Sequence, residues 1–302
     1  KKKRLLPIKK PQGEPVKLKG HRKKISDITF SPNGRWLATC SFDRTIRIWD
    51  GKKGIQKAVL FGGHRNRIRR LTYRIDGEQL ASVGDDGGAR LWDMKTGRRM
   101  FRLLGHETPA THVCYSPNGR FLVTAAEDAT VFIWSVETAE RILKLGPYDG
   151  GISDICFDKE GMWIAIAHKN RVDLWDLNRN ERKASFLAKG DALRILSTQK
   201  GNLIIGDDRG LRMIDPGSGA HHLQFRGHYK GITALALDPG GSSLVSAGID
   251  QTVRVWELQD AQLHWTFDMR KTVRRLSVNK AGSIAMGFDE SFAILFEMGR
   301  GV

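Results

Sequence analysis

Only three cysteines and nine prolines occur among 302 residues, and no apolar run approaches the roughly 18 residues that a membrane-crossing helix needs. Cys40, Cys114 and Cys156 each lie inside a strand-like apolar segment. None has the paired spacing of a disulfide framework or a zinc site, so they read as small core hydrophobes, and neither metal nor cofactor is expected. The charged start, apolar middle and small-residue cleavage site of a signal peptide are missing too, so the expectation is a soluble cytoplasmic protein, or a nuclear one if its basic start is an address. Negative charge is scarce: 33 Asp and Glu stand against 50 Lys and Arg, a net +17. Six cations, Lys1, Lys2, Lys3, Arg4, Lys9 and Lys10, fall in the first ten residues, and setting them aside leaves about +11. A field of that sign favours acidic partners, whether protein, nucleic acid or an anionic surface. The first residue is not Met, which suggests a processed product or a piece of a larger chain.

What the chain has in abundance is repetition. Four times a Gly-His pair is followed, 28 residues after the His, by a Trp with an Asp six residues before it: His21, Asp43 and Trp49; His64, Asp86 and Trp92; His106, Asp128 and Trp134; His228, Asp250 and Trp256. The Trp column continues through Trp175, Ile214 and Phe296, in steps of 43, 42, 41, 39, 42 and 40 residues. Seven units therefore use nearly the whole chain and leave no room for a second domain. Within the first unit, apolar runs around Ile28, at Trp36–Cys40 and at Thr45–Trp49 are separated by the turns Ser31-Pro32-Asn33-Gly34 and Phe42-Asp43-Arg44. Short runs bounded by Gly, Pro, Asn and Asp are strands joined by hairpins. A small sheet cannot bury both faces alone, so the units must stack, and a ring of seven covers every face.

The Gly-His start, the turn Asp and the closing Trp-Asp (Trp49-Asp50, Trp92-Asp93, Trp175-Asp176) resemble the WD40-repeat β-propeller family over roughly residues 14–298. The resemblance implies an all-β, seven-bladed propeller of four-stranded antiparallel blades. Residues 14–19 would close the ring as the outer strand of the last blade, with 1–13 a basic tail and 14–302 one domain. It also implies that His, Asp and Trp share a hydrogen-bonded network with a hydroxyl two residues before the Asp. Only Ser41 fits, because Gly84, Ala126 and Gly248 stand there in the other three units. Those units are expected to keep a His-Asp pair and lose the link to Trp, unless water or Ser246 substitutes. Units four and five, with Tyr148 for His, Lys169-Asn170 for the turn Asp and Ile214 for Trp, are expected to be the least regular.

His21, Ser41 and Asp43 have the residue types of a hydrolase triad. A spacing that recurs four times suits a structural network and makes no sense as four active sites. No phosphate-cradling loop, zinc-protease helix or nucleophile elbow stands in the right context, and His221-His222 lacks a third ligand, so no enzymatic activity and no small-molecule substrate are expected. The family resemblance puts partner binding on the face carrying the Asp turns, at Lys24, Ser26 and Phe42; Arg67, Arg69 and Asp85; Pro109, Thr111 and Glu127; Gly151, Ser153 and His168; Ala192, Arg194 and Asp207; Gly231, Thr233 and Ile249; and Thr272, Arg274 and Asp289. Units seven, one and two become neighbours in a ring, gathering Arg22, Lys23, Lys24, Arg65, Arg67, Arg69 and Arg274. The expectation is a non-catalytic scaffold that docks an acidic protein there. The alternative is an RNA- or DNA-associated subunit held electrostatically, against which stands the single aromatic, Phe42, on that face.

Overall fold

The computed structural model describes residues 14–188, 190 and 194–297, so the basic tail and Ala192 lie outside the described residues. Among the described residues there are 28 strands and no helix, arranged as seven four-stranded antiparallel sheets, the blades. Blades 1 to 6 run inner to outer in chain order: blade 1 comprises Ile25–Phe30, Trp36–Ser41, Ile46–Asp50 and Gln56–Leu60. The inner strand of every blade touches that of the next, and Arg275–Val278 of blade 7 touches Ile25–Phe30 of blade 1, so the sheets form a ring. The outer strand of blade 7 is Val16–Lys19, paired antiparallel with Phe292–Phe296, and its Leu18 is 1% exposed.

The core lies between blades. Alternating strand residues from two neighbours interdigitate, as Ala38 and Ile46 of blade 1 do with Leu71, Leu80 and Trp92 of blade 2. The Gly of three of the four Gly-His pairs follows from packing on the Trp, while a Cβ on Gly20 would meet the Arg47 and Gln56 side chains. A Cβ on Gly63 would stand 2.3 Å from the ring of Trp92, and one on Gly227 2.9 Å from that of Trp256. Only glycine lets the chain cross the indole so closely.

The network in the repeat is built differently from the expectation. Its hydroxyl is not Ser41 but the residue four positions before each Asp, on the strand beside the Trp: Thr39, Ser82, Thr124 and Ser246. The indole N–H of Trp49, Trp92, Trp134 and Trp256 donates to these hydroxyls at 2.8–2.9 Å. Each lies 2.8 Å from Nε2 of His21, His64, His106 or His228. Nδ1 meets the carboxylate of Asp43 (2.8 Å), Asp86 (3.0 Å) or Asp250 (2.9 Å). A carboxylate can only accept, so Nδ1 carries the proton and Nε2 accepts from the hydroxyl. All four units therefore keep the link to Trp. Ser41 instead donates to the carbonyl of Lys23 and accepts from the N–H of Asp43. Gly248 stands in its place in blade 6 because a Cβ there would lie 2.7 Å from the ring of His228.

Blade 3 breaks the pattern at the other end. Thr130 stands between His106 and Asp128, 3.2 Å from Nδ1 and donating to the carboxylate at 2.6 Å. The imidazole stacks on Phe132, centroids 4.0 Å apart and planes 6° from parallel. Blades 4 and 5 keep four strands each, so their departures are local. The hairpin of blade 4 is a residue shorter, so Ile166 occupies the hydroxyl position two residues past the strand partner of Trp175, and the Trp175 N–H turns to Asn180 (3.4 Å). His168 packs on Tyr148 and faces Asp173 at 3.4 Å. In blade 5 the Asp-bearing hairpin is a residue shorter, and Arg212 pairs with Asp207, both buried, at 2.6 Å.

Candidate functional site: the mouth of the central channel

Five inner strands carry a register shift at the same place, between Ile25 and Asp27, Ile68 and Arg70, Ala110 and His112, Ile152 and Asp154, and Ile232 and Ala234. A bulge sets two residues against one and turns successive side chains the same way. Two rings of side chains therefore line the channel where strict alternation would give one. The outer ring is Ser26, Arg69, Thr111, Ser153, Thr233 and Arg274, and the deeper one is Asp27, Arg70, His112, Asp154, Arg194 and Arg275, while Ala234 at the matching place in blade 6 belongs to the core between blades 6 and 7. Members of both enclose a cavity of about 580 Å³ together with Lys24, Phe42 and Asp289.

The structure brings Lys24, Phe42, Arg69, Arg194 and Arg274 onto this one cavity. Arg67 joins them through Phe42, whose ring has its guanidinium at 5.0 Å and the Lys24 ammonium at 5.6 Å. Lys23 and Arg65 are exposed on loops outside the lining. Arg194 does not share a position with Arg274, as the repeat spacing suggested. It sits opposite Gly206 just before Ile195, as Arg275 sits opposite Gly287 just before Leu276, which places both in the deeper ring.

The rim cations are largely neutralised. Lys24 and Arg274 share Asp289, Arg69 holds both Asp85 and Glu127, and Arg67 lies 4.0 Å from Asp85. The deeper ring is different. Arg275 donates to the carbonyl of Ser26 at 2.8 Å and lies 3.4 Å from Asp27; Arg194 donates to the carbonyls of Thr233 (3.0 Å) and Ser153 (3.2 Å). Asp27 and Asp154 turn to the N–H groups of Leu71 (2.9 Å) and Ile195 (3.2 Å) in the next blade. Among the described residues Arg70 has neither a carboxylate within ion-pair distance nor a hydrogen-bond acceptor for its side chain.

Burial and the neighbouring Arg70 and Arg194 push the Arg275 guanidinium down to about 10, although Asp27 opposes them. His112, buried in the same ring, is held well below its ordinary value by burial and then by Arg70, Arg194 and Arg275, so it is neutral. The site is thus a converging set of guanidiniums with less negative charge than positive. Sequence reading missed Asp27, Arg70, His112, Asp154 and Arg275. Their signal is the residue directly before the second apolar position of each inner strand; for Asp27, Arg70, His112 and Asp154 the bulge accompanies the inward turn, while Arg275 takes the same place on a strand with no register shift.

A family model described as WD domain, G-beta repeat matches residues 13–50, 55–93, 97–135 and 219–257, just over half of the chain. The chain belongs to the WD40-repeat family. The matched repeats are the four whose His, hydroxyl and Trp are linked. Among curated proteins the chain is similar to ribosome assembly protein 4 of Saccharomyces cerevisiae, 41% identical over 39 residues, which are 13% of this chain and 8% of that protein. It is similar to human transducin beta-like protein 2, 55% identical over 40 residues (13% and 9%). To subunit I of eukaryotic translation initiation factor 3 from Neurospora crassa it is 32% identical over 66 residues (22% and 19%). The chain thus matches each of these WD40 relatives over less than a fifth of the relative's length.

Proposed function

We propose that this propeller is a non-catalytic scaffold that docks an acidic segment of a protein partner at the mouth of its channel. WD40 propellers typically bind other proteins. The observation that carries the reading here is the lining of one cavity by Lys24, Arg69, Arg70, Arg194, Arg274 and Arg275 against the single carboxylate Asp289. Arginine forks suit bidentate contact with carboxylates, and Arg70 has its donors unspent. The repeated His, hydroxyl and Asp sets have no catalytic geometry to offer, because each hydroxyl is buried and committed to an indole and an imidazole.

The test is affinity purification from the native cell with mass spectrometry, comparing the wild type with Arg67→Glu plus Arg69→Glu. The expected result is loss of an acidic partner at an unchanged melting temperature. Normal capture by the double variant removes the channel mouth from the account.

A further inference from the structure

We propose that the outer flank of blade 2, away from the channel, binds single-stranded nucleic acid. The edge strand Arg99–Leu103 reads Arg-Met-Phe-Arg-Leu, and all but Leu103 are exposed. Beside it lie two recesses. One, of about 360 Å³, is lined by Phe61, Trp92, Arg98 and Arg99 among others. The other, of about 400 Å³, is lined by Met100, Phe101 and Arg120, with Glu137 its only carboxylate. Arg98, Arg99, Arg102 and Arg120 are exposed, and among the described residues none has a carboxylate within ion-pair distance. Phe61 is 76% exposed and Phe101 38%.

Free guanidiniums interleaved with bare aromatic faces are the complement of a flexible polyanion whose bases can unstack. The arginines would take phosphates, and Phe61 and Phe101 would each take the face of a base. An acidic peptide would use the arginines and leave the two rings without a purpose. The channel mouth lacks this combination, since its one aromatic already carries two cations and its rim charges are paired. The flank is independent of the docking reading above.

Fluorescence anisotropy tests the proposal on the full chain, with labelled 12-nucleotide single strands of RNA and of DNA, the matching duplex, and polyglutamate as a competitor. The single strands should bind at 50 mM salt and weaken roughly fiftyfold at 200 mM, as four phosphate contacts predict. The two single strands decide whether the ribose hydroxyl matters. Arg98→Ser with Arg99→Ser and Arg102→Ser should lose more than tenfold. Phe61→Ala and Phe101→Ala should each lose about fivefold or more, and Arg69→Ser with Arg70→Ser should bind as the wild type does. Photo-crosslinking of 4-thiouridine RNA to the wild type should label peptides containing Phe61 or Phe101. Absence of binding at 50 mM salt overturns the proposal. So does equal affinity for the duplex or for polyglutamate, the latter marking an acidic-protein surface, and so does a loss confined to the channel variant.

Discussion

A threonine or serine hydroxyl between an indole and an imidazole is the smallest unit on which these blades depend. Thr39 joins Trp49 to His21, and removing its oxygen leaves a buried N–H and a buried ring nitrogen without partners. Thr39→Val should therefore cost about 1–3 kcal/mol in urea denaturation, while Ser41→Ala, which frees the carbonyl of exposed Lys23 and the part-buried N–H of Asp43, should cost about 1 kcal/mol. Equal costs would return Ser41 to the network. The same units set the response to acid. Burial holds His64 and His228 below their ordinary values and brings His106 down to about 4. An unfolded histidine takes up its proton near 6.5, so between pH 6.5 and 4 the unfolded chain binds protons that the folded one refuses, and stability falls as pH falls. Burial would raise Asp43 and Asp86, but hydrogen bonds from His21, Thr45 and Arg22 to the first, and from His64 and Arg65 to the second, hold both well below the carboxylate range. Their contribution is present above pH 4 and lost below it. The urea midpoint should be flat between about pH 7 and 8 and fall between 6.5 and 4, less steeply in His106→Gln.

At the scale of the strand, the bulge decides what the channel contains. Period-two alternation predicts one channel side chain per inner strand and finds Ser26, Arg69, Thr111 and Ser153. The extra residue turns Asp27, Arg70, His112 and Asp154 the same way, and no residue type in the sequence announces it. Two arginines of this ring have opposite energetics. Arg275 ties blade 7 to blade 1 through the Ser26 carbonyl and Asp27, so Arg275→Ala should destabilise by about 3 kcal/mol, because it leaves buried Asp27 with the Leu71 N–H and no cation. Arg70 has no side-chain partner among the described residues and lies near Arg194 and Arg275, so Arg70→Ala should leave the melting temperature unchanged or raised. A large loss of stability in Arg70→Ala would mean that the ring's charges are balanced as they stand.

The whole molecule is held shut by its first described strand. Val16–Lys19 covers the edge of Phe292–Phe296 and seats Leu18 in the core between blades 7 and 1. Leu18→Asp, or deletion through Lys19, should expose that edge, broaden the calorimetric transition and bring aggregation on size-exclusion chromatography. A sharp, monomeric transition in the deletion would show that the ring closes without it. The chain order alone determined that there are seven sheets and where each turn falls. Spacings of about 42 residues, turn residues and a Trp column are local properties, written wherever a blade is made. The family and the number of blades were legible for that reason, even where blades 4 and 5 have lost their quartets. Which hydroxyl links His to Trp was not legible, because Thr39 and Ser41 differ only in which strand neighbour they oppose. Nor were the partners of the rim cations, or the convergence of Arg70, Arg194 and Arg275 from residues 70, 194 and 275 onto one axis. Those contacts join separate blades, and only closure of the ring brings them together.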